Sequence, residues 1–200
     1  MSKELILKMS MSADGFVGGP NGEIDWMFPT MSDAGRRWTA ELLGQASLHA
    51  LGHKSFLDMA SFWPTAAGPI ASVMNEIPKA AFSRSGVITA PNLEKATAAA
   101  VDQAILESWR NPVVAGKDLV ADIQRLKAED GKPIIAHGGA SFASSLIAAG
   151  LVDVLHLVVH PVAIGRGLSI FGGLENPLHL KLESLMQTET GVVVKTYRPA

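Results

Sequence analysis

The hydrophobic residues of this chain fall into short runs separated by amphipathic stretches, a pattern that predicts strands and helices in alternation. Buried strands are predicted for six apolar runs, at residues 5–11, 48–52, 79–83, 111–116, 133–137 and 151–160. Amphipathic or alanine-rich segments between them predict helices at residues 33–46, 53–63, 69–75, 92–108 and 140–149, and another that begins after Asp118. The C-terminal residues alternate in polarity and predict a hairpin that turns near Thr190 and Gly191.

Strands that alternate with helices are typical of an α/β fold with a mostly parallel sheet. We therefore expect three layers, a central mixed sheet with helices on both faces, and a C-terminal antiparallel hairpin at its edge. Residues 1–200 contain no segment with the length and composition of a linker, so a single domain is predicted.

The composition narrows the classes of protein that fit. Apolar residues make up 48% of the chain and charged residues 18%, which favours a large core over disorder. The net charge of −2, without a basic stripe, argues against nucleic acid as a partner. No apolar run is long enough to span a membrane, and the N-terminus lacks the apolar stretch of a signal peptide. The chain has no cysteine, which is compatible with the reducing cytoplasm, the location we expect.

Three predicted strands end in residues suited to contact a ligand. The segments that follow them are His53-Lys54-Ser55, Ser83-Arg84-Ser85 and Gly138-Gly139-Ala140-Ser141. In open α/β sheets ligands bind beyond the carboxyl ends of strands, and helix N-termini there attract phosphate groups. The three segments together fit a cradle for a dinucleotide, although each taken alone also fits an ordinary capped turn.

Other candidate motifs are incomplete or have a simpler interpretation. The chain contains no phosphate-binding P-loop, no G-x-G-x-x-G fingerprint and no nucleophile elbow. His156 and His160 lie in a predicted strand without a third ligand, so we interpret them as hydrogen-bonded histidines and expect no metal site. Trp26, Trp38 and Phe62 are interpreted as core residues. Three carboxylates lie near the predicted site, at Asp14, Asp25 and Asp33, and the first and last of them also fit a turn and a helix cap.

The order of the segments resembles the dihydrofolate reductase-like superfamily, in the branch that includes the reductase domain of riboflavin biosynthesis. The resemblance runs through "SMSADGFVGG", "ALGHKSFLDM", "IPKAAFSRS" and "PIIAHGGASFASS" and covers nearly the whole chain. Its most specific segment is "GLVDVLHLVVHPVAIGRGLSIF".

The resemblance implies a dihydrofolate reductase-like fold with NADPH lying across the strand ends. It places Gly52, His53, Lys54 and Ser55 at the cofactor phosphates, Ser83 and Arg84 at the adenosine 2′-phosphate, and Gly138, Gly139, Ala140 and Ser141 at the pyrophosphate. It also implies a homodimer, and the apolar "VVVKTY" segment supports this prediction if it lies at a sheet edge. The paired glycines would then let a dinucleotide lie against bare backbone.

Three departures from the family pattern bear on the activity. His53 stands where an arginine is expected, Ile77-Pro78 stand where an arginine would bind the glutamate of folate, and residues 87–107 form a helical insertion. We therefore predict an NADPH-dependent reductase that transfers hydride to a small heterocycle or a ribosylamino-pyrimidine, and not to dihydrofolate. Asp14 or Asp33 would orient the substrate or route a proton. The alternative is a non-catalytic nucleotide-binding protein of the same fold.

Overall fold

A computed structural model describes residues 2–200, which form one mixed sheet flanked by helices. The strands are β1 (Leu5–Ser12), β2 (Leu48–Gly52), β3 (Lys79–Phe82), β4 (Val113–Ala115), β5 (Ile134–Ala136), β6 (Val154–His160), β7 (Leu180–Gln187) and β8 (Val193–Pro199). The helices are α1 (Asp33–Gly44), α2 (His53–Phe62), α3 (Pro69–Glu76), α4 (Glu94–Ala98), α5 (Gln103–Arg110), α6 (Leu119–Lys127) and α7 (Ala140–Ala148). Within the described residues, no helix is both long and apolar enough to cross a membrane.

The strands follow the order β4-β3-β2-β5-β1-β6-β8-β7 across the sheet. Neighbouring strands from β4 to β6 are parallel, whereas β8 pairs antiparallel with both β6 and β7. The predicted three-layer architecture with a C-terminal antiparallel hairpin is thus confirmed. Because all the parallel strands point the same way, their carboxyl ends meet at one edge of the sheet.

Side chains that alternate along β1 divide the core into two layers. Leu5 and Leu7 pack with α6 and α7 on one face, through buried residues that include Ile123 and Leu146. Ile6 faces the opposite layer, where helices α1, α2, α3 and α5 contribute buried side chains such as Trp109. Lys8 shares the face of Ile6, since side chains two residues apart on a strand point the same way.

The alanine-rich segment 92–108 does not form the single helix that its composition predicts. It forms α4 and α5, separated by Ala100, which has a φ of 51°. Asp102 begins the second helix because its carboxylate accepts a hydrogen bond from the N–H of Ala104. Alanine has the highest helix propensity, but Asp102, four residues after the end of α4, caps a second helix that is separate from the first.

Helix α5 is fastened to the sheet by polar contacts that are buried in the core. The indole N–H of Trp109 donates to Asn75 Oδ1 at 2.9 Å. Lys79 donates to the carbonyl of Asn75 and to Ser108 Oγ, and its ammonium lies 4.5 Å from the centre of the Trp109 ring. These contacts fix β3, the strand that leads to Ser83 and Arg84, against α3 and α5.

Four smaller expectations also need correction. Helix α1 ends at Gly44, two residues before the predicted end. Strand β6 begins at Val154 and not at residue 151, and the carboxylate of the preceding Asp153 accepts a hydrogen bond from the N–H of Leu5. Phe62 is 58% exposed and is not a core residue. The segment "VVVKTY" lies in or next to β8, an inner strand, so that the apolar edge of the sheet is formed by β7.

Candidate active site

A cleft of about 380 Å³ opens beyond the carboxyl ends of β2, β3 and β4 and beside the N-terminus of α7. It is lined by Gly52, His53, Lys54, Ser55, Phe82, Ser83, Arg84, Ser85, Gly116, Leu119, Gly139, Ser141, Phe142 and Ser145. The sequence predicted three strand ends at this site, and the structure brings all three together.

Two helices point their N-termini into this cleft without a side-chain cap. The N-cap residues are Gly52 for α2 and Gly139 for α7, and neither has a side chain that could accept from the first N–H groups. Helices α1, α5 and α6, in contrast, are capped by the side chains of Ser32, Asp102 and Asp118. Uncapped N–H groups and the positive ends of two helix dipoles make the cleft suited to phosphate groups.

Glycines allow the strand ends and helices that form the cleft to pack closely and leave bare backbone along its wall. A Cβ at Gly116 would lie 2.9 Å from the backbone nitrogen of Ser83, and one at Gly52 would lie 2.9 Å from Phe142 Cβ. Gly139 has a φ of 89°, a conformation that disfavours other residues. The cradle therefore fits a ligand that lies directly against the backbone, as the phosphates of a dinucleotide do.

The base and the rim of the cleft differ in character. Phe82 and Phe142 stack at 4.8 Å between ring centres and form an apolar base. At the rim, Ser83 Oγ lies 2.9 Å from Ser85 Oγ, and the Arg84 guanidinium is exposed to solvent. A planar cation next to two hydroxyl groups is suited to a phosphate monoester.

Most of the predicted cofactor residues line the cleft, but two do not. Gly138 supports it from behind, because its carbonyl accepts a hydrogen bond from the N–H of Gly52 at 3.2 Å, and Ala140 begins α7. Five lining residues were not predicted from the sequence: Phe82, Gly116, Leu119, Phe142 and Ser145. Gly116 could have been predicted, because it is a glycine at the end of a strand, β4, in the same way that Gly52 is at the end of β2.

His53 connects the cleft to the segment at residues 87–107. Its Nε2 accepts a hydrogen bond from the N–H of Thr89 at 3.2 Å. Only Nδ1 of the neutral ring then remains to donate towards the cleft, whereas the arginine expected there would offer a fork of donors. The 87–107 segment thereby holds one wall of the cleft.

Asp14 lies beyond the end of β1, outside the cleft lining. Its carboxylate accepts hydrogen bonds from Ser12 Oγ at 2.6 Å and from the N–H groups of Ile164 and Gly165. The Ser12 hydroxyl contributes most to lowering the pKa of Asp14, and the two backbone groups add to it. An ionised, fully bonded carboxylate is suited to hold the loop after β6 in place.

Asp33 also lies outside the cleft lining. It is exposed at the first turn of α1 and pairs with Arg36 at 3.1 Å. The cap of this helix is Ser32, whose hydroxyl accepts from the N–H of Gly35. Asp33 is therefore a surface residue of α1 and does not face the cleft.

Lys8 is the titratable residue on this edge of the sheet that the sequence analysis missed. Burial lowers the pKa of its ammonium to about 8. On β6, Lys8 is paired in register with His156. On β5, Leu7 is paired with Ala136, so Lys8 lies beside the next residue, His137. Its hydrogen bond within the described residues goes to Ser10 Oγ at 3.3 Å, and no carboxylate there pairs with it. A half-buried ammonium without a carboxylate partner, next to the strand end that leads into the glycine turn, is free to donate a hydrogen bond to a ligand.

The histidines around Lys8 are neutral. His137 Nε2 and His49 Nδ1 lie 3.1 Å apart, and burial, followed by the charges of His49 and Lys8, lowers the pKa of His137. His156 Nδ1 lies 3.0 Å from Thr196 Oγ1, so this histidine is hydrogen-bonded, as predicted. His160 is also hydrogen-bonded, through Nδ1 to Thr30 Oγ1, but its other ring nitrogen, Nε2, is buried without a partner.

Comparison with known proteins bears on the whole chain. The protein YyaP of Bacillus subtilis strain 168, named as uncharacterized, is 27% identical over 197 residues, which cover 98% of this chain and 94% of YyaP. The diaminohydroxyphosphoribosylaminopyrimidine deaminase/5-amino-6-(5-phosphoribosylamino)uracil reductase of Thermotoga maritima matches all of this chain with 57% of its own, with a TM-score of 0.69 and 15% identity. The dihydrofolate reductase of Enterococcus faecalis, in complex with NADP(H), matches with a TM-score of 0.61 and 14% identity, over 100% of this chain and 99% of its own.

These structural matches show a dihydrofolate reductase-like fold. The family itself is shown by sequence, because the model of the RibD C-terminal domain matches residues 3–194. The chain therefore belongs to the RibD C-terminal domain family.

Proposed function

We propose that this protein is an NADPH-dependent reductase that transfers hydride to a ribosylamino-pyrimidine or a related small heterocycle. The observation that carries the proposal is the cleft, in which two uncapped helix N-termini and Arg84 converge over bare glycine backbone. Family membership supports a reductase, and the Thermotoga reductase is named for a phosphoribosylamino-uracil. NADPH would supply the hydride, while the protein binds and orients both reactants.

Each part of the site has a role in this proposal. Gly52, Gly139 and Ser141 border the pyrophosphate, and Ser83 and Arg84 hold the 2′-phosphate. Lys8 donates a hydrogen bond, and then a proton, to the substrate heteroatom that becomes negative as hydride reaches the neighbouring carbon. Asp14 acts as a positioning residue through the loop at Ile164 and Gly165, and Asp33 is left at the protein surface.

The test separates reduction from binding alone. Binding of NADPH is measured by calorimetry, and oxidation of NADPH is followed with a panel of heterocycles that includes 5-amino-6-(5-phosphoribosylamino)uracil and dihydrofolate. We expect turnover with an aminopyrimidine and little with dihydrofolate, since Ile77-Pro78 provide no cation for its glutamate. NADPH binding without turnover on any member of the panel would favour a non-catalytic nucleotide-binding protein.

Arg84 should set the preference for NADPH over NADH. Arg84→Ala removes charge-assisted hydrogen bonds to the 2′-phosphate and should weaken NADPH binding by about 10- to 100-fold. Binding of NADH, which lacks this phosphate, should stay unchanged. Lys117→Ala, which removes a cation from the neighbouring loop, is the charge-matched control. Equal losses for the two cofactors in Arg84→Ala would contradict the assignment.

We also propose a homodimer that forms through the edge strand β7. Leu182 and Leu185 on this strand are 50% and 59% exposed, and an exposed apolar edge favours pairing with another chain. Light scattering at micromolar concentration should give the mass of a dimer, and the double variant Leu182→Lys/Leu185→Glu should give a monomer. The matched control changes Val113 and Val114 on the opposite edge strand β4 in the same way and should leave the dimer intact.

A further inference from the structure

The carboxyl end of β6 carries a buried ring nitrogen that the site described above does not use. His160 is 3% exposed, and its Nε2 has no hydrogen-bond partner among the described residues. Every other buried side-chain nitrogen or oxygen of residues 2–200 has a partner. An unpaired buried polar atom destabilises a fold, so its presence at a ligand-binding edge of the sheet calls for a partner from outside the chain.

The neighbouring hydroxyl indicates what kind of partner Nε2 needs. Thr30 Oγ1 donates to the carbonyl of Met27 at 2.9 Å and lies 2.7 Å from His160 Nδ1. Because the Thr30 proton is directed to Met27, Nδ1 carries the ring proton and donates to Thr30. Nε2 is then an unprotonated nitrogen whose lone pair can only accept a hydrogen bond.

The charge state of the ring agrees with this assignment. Burial, and then the charge of Lys8, lowers the pKa of His160 to about 4. The ring is therefore neutral at pH 7, and its free nitrogen remains an acceptor. A ligand group that meets it must be an N–H or an O–H.

The position of His160 connects it to the proposed substrate site. It is paired in register with Ser12 at the end of β1, and it shares a sheet face with Lys8. Trp26 covers the ring edge-on, with 5.7 Å between ring centres. Trp26 and Thr30 belong to the 3-10 turn Asp25–Thr30, in which no residue is buried. Hydrogen bonds hold this turn in place, one between Thr30 and His160 and one from Thr190 Oγ1 to the Thr30 carbonyl at 2.7 Å.

We propose that His160 Nε2 accepts a hydrogen bond from an N–H group of the heterocyclic substrate and so determines which face of the ring meets the cofactor. This inference rests on the proposed function. Lys8 would donate to the heterocycle and His160 would accept from it, so the pair would recognise a ring that carries an acceptor and a donor. An aminopyrimidine offers both, whereas a heterocycle without an N–H group leaves Nε2 unpaired.

The probe for this site is 5,6-diaminouracil, added to the protein in saturating NADPH. In protein labelled with ¹⁵N-histidine, we expect the His160 Nε2 resonance to be that of an unprotonated nitrogen and to move when the probe binds. His160→Phe keeps a ring but removes both nitrogens, and it should weaken the probe by about 10-fold or more. His160→Gln, whose amide oxygen lies near the position of Nε2, should restore part of the affinity.

His179→Phe is the control. It makes the same change at an exposed histidine outside β6 and away from the partners of Lys8, and it should leave the affinity for the probe unchanged. A protonated Nε2 in the free protein, an immobile resonance, or full affinity in His160→Phe would each overturn the inference. NADPH affinity, measured on the same samples, tells the two proposals apart. If the protein binds NADPH but the His160 resonance does not respond to the probe, only the role of His160 is contradicted. If the protein does not bind NADPH, the proposed function is contradicted.

Discussion

Replacement of Ser141 by aspartate should abolish NADPH binding without unfolding the protein. Ser141 is exposed in the first turn of α7 and lines the cleft where the pyrophosphate is expected. A carboxylate there meets the negative charge of the phosphates at close range in a partly desolvated site, so we expect affinity to fall by about 100-fold or more. The same charge should weaken NADPH binding and stabilise the helix, so a loss of binding cannot be attributed to unfolding.

The stability of Ser141→Asp should be equal to or above that of the wild type. A carboxylate in the first turn of a helix stabilises it by about 0.3–1 kcal/mol, because it compensates the positive end of the helix dipole and can cap free N–H groups. Calorimetric titration gives the affinity for NADPH, and urea unfolding gives the free energy of unfolding. Ser141→Asn, in which the asparagine has nearly the shape of aspartate but no charge, should retain most of the NADPH binding.

Normal binding of NADPH by a folded Ser141→Asp protein would show that the cofactor does not lie at the N-terminus of α7. A glycine variant is less suited to this question. Gly139 has a φ of 89°, so that any side chain there strains the backbone as well as entering the cleft. A loss of binding in such a variant could come from either cause.

The centre of the sheet could be predicted from sequence because its strands are buried on both faces. Strands β2, β3 and β5 are short runs of buried residues bounded by serine, proline or histidine, and such runs stand out from the amphipathic helices between them. The break at Ala100 could not be predicted from propensity, since alanine supports a helix at every position. Asp102, the cap of α5, was the available signal for it.

The cleft beyond β2, β3 and β4 was predictable for the same reason, and the environment of Lys8 was not. Residues at the ends of parallel strands must meet at one edge, so Gly52, Ser83 and Gly139 come together whatever the loops do. Lys8 alternates with leucine and methionine in β1, a pattern that normally predicts a solvent-facing side chain. It is half-buried because β5 and β6 flank its strand, and both of these strands lie more than a hundred residues away in sequence.

Loss of the Lys8 ammonium should have the largest effect on turnover. Lys8→Met keeps the length and the packing of the side chain but removes its hydrogen-bond donor and its proton. General acid catalysis by a positioned group contributes roughly 100- to 10,000-fold to the rate, and we expect a loss of this size in kcat while the affinity for NADPH stays unchanged. The measurement is steady-state oxidation of NADPH with the aminopyrimidine that the wild type turns over.

The dependence of the rate on pH should report on the same group. The pKa of Lys8 is lowered to about 8, so the ammonium is present below that pH and is lost as the pH rises through it. Activity of the wild type should therefore fall above about pH 8, and Lys8→Met should lack this alkaline limb. Lys8→Arg separates the two possible roles of the charge: arginine keeps the positive charge but cannot release a proton near neutral pH, so it should restore binding without restoring the rate.

A measurement on the resting protein makes the assignment independent of the choice of substrate. The ¹³Cε resonance of Lys8 should titrate with a midpoint near 8, far below the ordinary lysine pKa of 10.5. The lowered pKa also has a consequence for stability. Between about pH 8 and 10.5 the unfolded chain still binds the proton that the folded protein has released, so the contribution of Lys8 to stability should rise with pH across this window. A midpoint near 10.5, or a Lys8→Met protein with full activity, would show that Lys8 is not the proton donor.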